Sequence, residues 1–480
     1  MSERVLIAGG YVLSMDPAVG ELERGDVLVQ DRVIAEVGVD VDTGDASVLD
    51  AAGCVVMPGF VDTHRHTWQT ALRAICADWT LVDYFRAIRQ SISPRYTPED
   101  VFAGNYVGAL EALDAGVTTI LDFSHCMNSP EHADAALQGL RDSGIRAVFG
   151  YGYFPASGEH AAFGDHAERI DDARRIKHEL LSSDDALVTM GVALTEVGLL
   201  PFELTKAEIE SAREMDALLV AHTGCTWGGS LTRGVRELQL HGLLDADQVH
   251  VHCNCLDLVE FDLLAQAGAK VSMSPETELS MGMGHPVVRQ CLERGIKPTL
   301  SCDVVSLNSG DMFAQMRLVL NFQRAMDNDP INASGAMPQE QQLKVRDVIA
   351  WATANGAEAM GLGSRTGSLT PGKRADVIVV GGEELNMTPR PEMAGSIVFQ
   401  ANARNVKHVL VDGRFVKRDG ALVAVDSSRV QRLAQQSRER IFDSALSHGP
   451  LLPPADAGFE EQLEAMAAAN IARAHELVPS

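Results

Sequence analysis

The sequence predicts an α/β protein built from a (β/α)8 TIM-type barrel and a small composite β-sandwich to which both chain ends contribute. Two observations indicate the barrel. After residue 58, short apolar strands alternate with helix-length segments, and eight such strands can be counted. A third observation indicates the sandwich, because residues near both chain ends alternate apolar and polar positions between Gly and Asp turns, as hairpins do.

The composite β-sandwich is expected to contain residues 1–57 and 366–426. Both ranges carry short runs rich in Val, Ile and Leu, separated by turn residues. The simplest arrangement packs the strands of both ranges into one unit. We therefore predict one domain made from two distant parts of the chain.

Residues 58–365 are expected to form the barrel, closed by a helical segment at 349–360. In barrels of this kind the chemistry takes place at the carboxyl ends of the strands. Residues at those ends are therefore the first candidates for function. The eight predicted strands cover residues 60–62, 117–122, 146–150, 187–194, 218–222, 249–252, 270–274 and 298–303.

Residues 427–480 are expected to form a C-terminal helical appendage, since their composition is helical and charged around a Pro-rich break at 450–454. Such an appendage would cover a surface of the barrel or a neighbouring subunit.

The charge and composition exclude several classes of function. Of 480 residues, 66 are acidic and 40 are Lys or Arg, which gives a net charge of −26 and argues against a nucleic-acid partner. The first residues lack the features of a signal peptide, and no apolar run is long enough for a membrane span. We therefore expect a cytoplasmic protein with a small-molecule substrate. Eight scattered cysteines without a CxxC pair make a thiolate metal cluster improbable.

Four histidines and one aspartate stand at the ends of predicted strands. His64 and His66 follow the first strand and lie two residues apart, so an extended strand projects both side chains from one face. His222, His252 and Asp303 end the fifth, sixth and eighth strands. Such a set suits one divalent metal ion, Zn²⁺ first and otherwise Fe²⁺, Mn²⁺ or Co²⁺, with a position left for water. A metal-dependent hydrolase follows.

The chain resembles the amidohydrolase superfamily, in the branch of cytosine and guanine deaminases and triazine chlorohydrolases. The matching motifs extend from the first strands to about residue 423. They are Pro58-Gly-Phe-Val-Asp-Thr-His-Arg-His66 and the segments 110–119, 221–222, 251–253, 301–303, 311–317 and 367–377.

The resemblance implies a role for each strand-end residue. His64, His66, His222 and Asp303 would bind one catalytic metal ion, and Asp303 would also accept the proton of the attacking water. His252 would orient that water or polarise the leaving group. Residues 187–194 contain no lysine that could be carboxylated, which favours a mononuclear site. A homodimer or higher homo-oligomer is also implied.

One departure from the deaminases of this branch concerns proton transfer. Their fifth-strand histidine is followed three residues later by a glutamate, and this chain has Cys225 there, whose thiol is a poor proton donor. Glu276 and Glu278, just after the seventh strand, could supply the missing acid or could cap a helix. Alternatively, Asp303 performs all the proton transfer, as in relatives that open cyclic amides and ureas.

Further side chains near the strand ends are candidates for substrate binding. They are Trp68 and Gln69 after the first strand, His125 after the second, and Cys225 and Trp227 after the fifth. A Trp ring can stack on a flat substrate and a Gln can hydrogen-bond its edge. Each of these residues is equally explicable as packing.

The sequence therefore predicts a metal-dependent hydrolase. In its reaction a metal-activated water attacks an sp² carbon of a nitrogen-containing, heterocyclic small molecule and breaks a C–N or C–Cl bond. The alternative is a cyclic amide, urea or carbamate hydrolase with Asp303 as the sole proton shuttle. More remote alternatives are a metal-dependent lyase or decarboxylase, and a binding scaffold without catalysis.

Overall fold

Strands from both chain ends form one sheet outside the barrel. The computed structural model describes residues 4–154, 158, 160–197, 201–225 and 234–455, and six residues beyond them, 458, 461, 465, 468, 469 and 472. The N-terminal part supplies β1 (Arg4–Leu13), β2 (Glu21–Gln30), β3 (Val33–Gly38), β4 (Ser47–Asp50) and β5 (Cys54–Pro58).

The barrel strands follow directly and pair with their neighbours in parallel, in chain order. They are β6 (Phe60–Arg65), β7 (Val117–Ser124), β8 (Arg146–Gly152), β9 (Val188–Ala193), β10 (Leu218–Thr223), β11 (Gln248–His252), β12 (Lys270–Met273) and β13 (Pro298–Leu300). The C-terminal part returns to the other sheet with β14 (Val377–Gly381), β15 (Val406–Val411), β16 (Arg414–Arg418) and β17 (Ala421–Leu422).

The second sheet joins the two chain ends through one strand pair. Its strand order is β17-β16-β15-β14-β5-β1-β2-β3, with β4 beside β1. β14 pairs antiparallel with β5, so that Ile378 lies opposite Met57. The predicted fold class, a TIM-type barrel with a small β domain from both chain ends, is confirmed. The strands expected to form a composite β-sandwich lie in one nine-stranded sheet. The domain boundaries given above stay a prediction.

Fourteen α-helices lie in the described part of the chain. They are α1 (Leu81–Tyr84), α2 (Pro98–Asp114), α3 (Pro130–Ser143), α4 (His166–Arg175), α5 (Phe202–Glu214), α6 (Gly234–Leu240), α7 (Leu258–Ala267), α8 (Pro275–Ser280), α9 (Val288–Leu292), α10 (Met312–Ala333), α11 (Val345–Trp351), α12 (Ala354–Ala359), α13 (Met393–Phe399) and α14 (Ser427–His448). Among the helices that are described, none is both long and apolar enough to cross a membrane.

Local sequence signals determine where the helices begin and end. Thr97 and Asp100 form a capping box at the start of α2, with Pro98 in its first turn. Helix α3 ends at Gly144, whose φ of 77° is a left-handed conformation that glycine adopts without steric cost. These signals place the helices between the strands, as the βα pattern requires.

The barrel closes between its first and last strands at His64, His66 and Asp303. The backbone N–H of Asp303 donates to the carbonyl of His64 (3.0 Å), and the N–H of His66 donates to the carbonyl of Asp303 (2.8 Å). At the opposite end of β6, the N–H of Val61 donates to the carbonyl of Ala352, between α11 and α12. The carboxyl end of the barrel is thus the end that carries the predicted metal ligands.

Helix α14 packs on the outside of the barrel against α2. Ser437 Oγ and Arg440 Nη2 both donate to Asp100 Oδ1, at 2.8 and 2.6 Å. Arg86 Nη1 also donates to the carbonyl of Pro453, beyond the helix end (3.0 Å). The described part of the C-terminal appendage therefore covers a surface of its own barrel, one of the two placements expected.

Candidate active site

Four predicted metal ligands converge at the carboxyl end of the barrel. Asp303 Oδ1 lies 3.2 Å from His64 Nε2 and 3.4 Å from His66 Nε2. His222 Nε2 lies 3.3 Å from both of those nitrogens. All four side chains are buried. The chain therefore directs three imidazole nitrogens and one carboxylate oxygen at a single point.

The protonation states of His64, His66 and Asp303 suit a metal ion. Burial lowers the pKa of His64 to about 4 and holds the pKa of His66 well below its ordinary value. Burial alone would raise the pKa of Asp303, but the neighbouring histidines outweigh it and hold that pKa far below its ordinary value. Neutral imidazoles and an ionised carboxylate are the forms that bind Zn²⁺ and similar ions.

The donor set fits a divalent metal for a further reason. His222 Nε2 lies 3.3 Å from the Nε2 atoms of both His64 and His66, and a proton on one of these atoms can satisfy only one such contact. A cation between them would satisfy all of these buried atoms at once. No lysine lies between Val188 and Ala193, in agreement with a site for one ion.

A polar group lies beside Nδ1 of two of the rings, as a hydrogen-bond acceptor for His66 and at close range without hydrogen-bond geometry for His222. His66 Nδ1 donates to the carbonyl of Phe123 (2.9 Å). Glu196 Oε1 lies 3.3 Å from His222 Nδ1. Because these contacts occupy the Nδ1 side, Nε2 of each ring is directed to the common point, as is usual for metal-binding histidines.

His252 lies beside this cluster with a carboxylate of its own. Its Nδ1 is 3.2 Å from Glu278 Oε1, and its Nε2 is 4.0 Å from Asp303 Oδ2. Burial alone would lower the pKa of His252, but Glu278 and Asp303 outweigh it and raise the pKa above the ordinary value. The site thus combines a carboxylate of lowered pKa, Asp303, with an imidazole of raised pKa, His252.

A pocket opens onto the cluster. Its wall combines charged and imidazole groups with apolar side chains. The lining residues are His66, Leu81, Tyr84, Phe85, Arg89, His125, Glu196, His222, Cys225, His252, Thr277, Met281, Met283, Asp303 and Val304.

Two of the predicted substrate-binding residues line this pocket. His125 stacks on His66 with ring centroids 4.5 Å apart, and neither of its ring nitrogens has a hydrogen-bond partner among the described residues. Burial holds the pKa of His125 well below its ordinary value and raises the pKa of the Cys225 thiol well above its ordinary value. Both groups are therefore neutral at the pocket wall.

Two other predicted substrate-binding residues, Trp68 and Gln69, lie behind the wall of the pocket. Trp68 is fully buried, with its ring edge on Tyr96 at 5.1 Å. Gln69 Nε2 donates to Tyr84 Oη (2.7 Å), and its Oε1 accepts from Ser306 Oγ (2.8 Å). Gln69 thus positions Tyr84, which does line the pocket. Trp227 lies outside the described residues.

The two glutamates of the seventh-strand segment differ in their surroundings. Glu278 accepts from the N–H of Ser274 (2.7 Å) and contacts His252. Glu276 accepts from Gln315 Nε2 (2.6 Å), and its side chain is not part of the pocket wall described above. Glu278 therefore positions His252, and Glu276 packs against α10.

Sequence reasoning missed two charged residues of the pocket, Glu196 and Arg89. Glu196 follows β9 by three residues, and the strand-end rule that selected His222 would have selected it as well. Arg89 lies in a π-helical segment, Phe85–Ile92, within the long connection from β6 to α2. No sequence signal distinguished it from the other arginines there.

Comparisons with known proteins identify a family and relatives to which the chain is similar. Residues 55–416 match the sequence profile of the amidohydrolase family. The 5'-deoxyadenosine deaminase of Methanosarcina mazei is 28% identical over 91% of this chain and 98% of its own length. The 5-methylthioadenosine/S-adenosylhomocysteine deaminase of Symbiobacterium thermophilum is 29% identical over 87% of this chain and 94% of its own length.

Solved structures share the fold. An adenosine deaminase from Xanthomonas campestris with bound zinc matches with a TM-score of 0.81 at 24% identity, over 92% of this chain and 98% of that one. Atrazine chlorohydrolase TrzN from Arthrobacter aurescens TC1, complexed with zinc, matches with a TM-score of 0.79 at 20% identity, over 90% of this chain and 100% of that one.

Proposed function

The chain belongs to the amidohydrolase family and is a metal-dependent hydrolase of carbon–nitrogen bonds other than peptide bonds, and from this premise we propose its reaction. Water replaces an amino or chloro group on an sp² ring carbon of a nitrogen heterocycle. The observation that carries the proposal is the convergence of His64, His66, His222 and Asp303, three of which line the pocket. The relatives named as deaminases of adenine nucleosides support it.

We propose Zn²⁺ as the metal, with Fe²⁺, Mn²⁺ and Co²⁺ as alternatives. His64, His66, His222 and Asp303 would hold it. When bound, such an ion lowers the pKa of a water molecule towards about 7. The substrate is a small molecule. The cytoplasmic location and the homodimer expected from the sequence stay predictions.

The chain's own residues divide the remaining work. The Asp303 carboxylate accepts the proton of the attacking water, because the neighbouring histidines keep it ionised. His252 donates a hydrogen bond to the negative charge that develops on the substrate, since Glu278 keeps its pKa raised. The apolar part of the wall holds the ring against these groups.

A proton donor for the ring nitrogen and the leaving group is also required. Cys225 does not serve, because burial keeps its thiol neutral and weakly acidic. Among the described residues of the pocket wall, the carboxylates are Glu196 and Asp303. We assign Glu196 as the group that carries this proton, in place of the glutamate that other deaminases have three residues after the fifth-strand histidine.

A second candidate function is hydrolysis of a cyclic amide, urea or carbamate. The neutral Cys225 favours it, since a reaction with Asp303 as the sole proton shuttle needs no further acid at that position. The two candidates differ in their products: ammonia or chloride from the first, and a ring-opened acid or a free amine from the second.

The test is a panel of heterocyclic amines, chlorides, cyclic amides and ureas, offered to protein of known metal content. We expect one zinc per chain, and ammonia or chloride release that is lost when a chelator removes the metal. Asp303→Asn should lower kcat by at least about 100-fold. Protein that holds no stoichiometric metal, or CO₂ release without consumption of water, would contradict the proposal.

A further inference from the structure

Arg89 places a guanidinium group in the wall of the active-site pocket. The residue is 8% exposed. Its Nε and Nη1 atoms are buried and have no hydrogen-bond partner among the described residues. A buried cation without a partner is costly, and proteins keep one mainly where a ligand completes it.

The contacts that Arg89 does make are with ring faces. Its guanidinium lies 4.2 Å from the centroid of the Phe154 ring and 6.0 Å from that of Trp68. Burial lowers the pKa of Arg89, yet a guanidinium stays charged in proteins. Stacking covers the flat faces of the group and leaves the N–H groups at its edge available to hydrogen-bond acceptors.

Neighbouring side chains that the structure describes form no ion pair with this charge, and the Glu196 carboxylate acts on it only at longer range. Burial raises the pKa of Tyr84 well above its ordinary value and that of Cys126 to about 12, so both are uncharged. Glu196 is turned to His222 Nδ1, at 3.3 Å. Among the described residues Arg89 forms no ion pair with a carboxylate.

Another buried arginine shows how this chain satisfies a structural guanidinium. Arg169 is 4% exposed and lies over the Phe163 ring at 4.9 Å, much as Arg89 lies over Phe154. Unlike Arg89, it donates from Nη1 to the carbonyl of Met127 (3.1 Å), away from the pocket. The two arginines share burial and ring stacking, and only the one in the pocket lacks an acceptor for Nη1.

We propose that Arg89 binds a carboxylate of the substrate, so that the substrate is a nitrogen heterocycle bearing an acidic group. The inference rests on the proposed function for the identity of the ring, and on Arg89 alone for the anion. A planar guanidinium and a carboxylate match in shape and can form two parallel hydrogen bonds. The apolar residues Leu81, Phe85 and Met281 would contact the ring itself.

Binding can be tested without turnover, using nicotinate and its uncharged analogue nicotinamide as probes. We expect nicotinate to raise the melting temperature of the zinc-loaded protein. The dissociation constant derived from this shift should be at least 10-fold higher for nicotinamide than for nicotinate. Arg89→Met, which keeps a chain that can pack on Phe154, should lose the preference. Arg89→Lys should keep part of it, and Arg169→Met should keep all of it.

Nicotinate that stabilises Arg89→Met as well as the wild type would place its carboxylate elsewhere, for example on the metal, and would overturn the inference. So would equal stabilisation of the wild type by both probes. Measured zinc content and the melting temperature of each unliganded variant show whether Arg89→Met has kept its site and its fold.

Kinetics separate this inference from the proposed function. Each heterocycle of the panel is paired with its carboxylated analogue. We expect the carboxylated member to have the lower KM, and Arg89→Met to raise that KM by roughly 10- to 100-fold, the loss expected for a charged hydrogen-bonded pair. Turnover of uncharged rings without any preference would retain the function and reject the role of Arg89. Nicotinate binding without turnover of any ring would retain the role of Arg89 and reject the proposed function.

Discussion

At the scale of single residues, the site depends on backbone conformations that residues other than glycine rarely adopt. Asp303 has a φ of 57° and His252 a φ of 73°. Such left-handed conformations cost about 1–3 kcal/mol each and persist where the surroundings determine them. Two backbone hydrogen bonds, with His64 and His66, hold Asp303 in place. The contacts that close the barrel therefore also hold the strained residue that completes the metal site.

The assignment of Glu196 leads to a prediction at this scale. Glu196→Gln keeps an oxygen that can contact His222 Nδ1, but it removes the titratable proton. We expect the metal content and KM to change little, and kcat for deamination to fall by about 100-fold or more. Activity is measured as ammonia release at several pH values, next to zinc analysis of each protein.

Glu276→Gln is the matched control, because Glu276 is also a partly buried carboxylate near the strand ends but bonds to Gln315 on α10. It should behave like the wild type. Full deamination by Glu196→Gln would show that Asp303 carries all the protons, and loss of zinc from that variant would assign Glu196 to positioning of His222 alone.

At the scale of elements, the long connection between β6 and α2 builds one wall of the pocket. A 3-10 helix, Thr67–Leu72, follows His66 directly and packs against α2. Gly104 on α2 allows this approach, because a Cβ atom there would lie 2.4 Å from the carbonyl oxygen of Trp68. The position of the segment after the metal ligands thus depends on small residues of the next helix, Gly104 and also Gly108.

Gly104→Ala is therefore expected to destabilise the protein. In an exposed helix, replacing Gly by Ala raises the free energy of unfolding by about 0.5–1 kcal/mol. A decrease at position 104 would therefore indicate close packing. Here backbone must move, and we expect a loss of about 1–3 kcal/mol in the free energy of unfolding, measured by denaturant titration. Gly395→Ala on α13 is the control, and it should cost less, since its Cβ would meet the end of the Glu392 side chain. That side chain can move away from the Cβ with the loss of one capping hydrogen bond. Equal effects from both changes would contradict the close packing.

At the scale of the whole molecule, a buried ion pair joins the barrel to the sheet from the chain ends. Arg146, at the start of β8, donates from Nε and Nη2 to the two carboxylate oxygens of Asp376 at 2.6 and 3.0 Å. It also donates to Asp412 Oδ1 at 3.3 Å. Because the partners are far apart in the chain, this network couples the two units through one side chain.

Removal of one partner should therefore weaken the whole fold. Asp376→Asn leaves Arg146 buried with less compensation, and we expect a loss of about 3–5 kcal/mol with a lower melting temperature. Asp45→Asn, which breaks an exposed pair with Arg4, should leave the melting temperature almost unchanged. If both variants melt alike, the buried pair does not hold the units together.

The sequence alone determined the barrel, the additional β unit from both chain ends, and the group of His64, His66, His222, His252 and Asp303. The reason is that strand periodicity and the position of strand ends are local properties of a chain. A parallel barrel then brings all strand ends to one side, so residues at those ends become neighbours without further information.

Only the tertiary structure decided which other side chains reach the pocket. It separated Glu278, which contacts His252, from Glu276, which bonds to α10, although they are two residues apart. It placed Trp68 behind the wall and Arg89 in it, within one connection. These outcomes depend on packing between segments distant in the chain, and such packing leaves no periodic signal in the sequence.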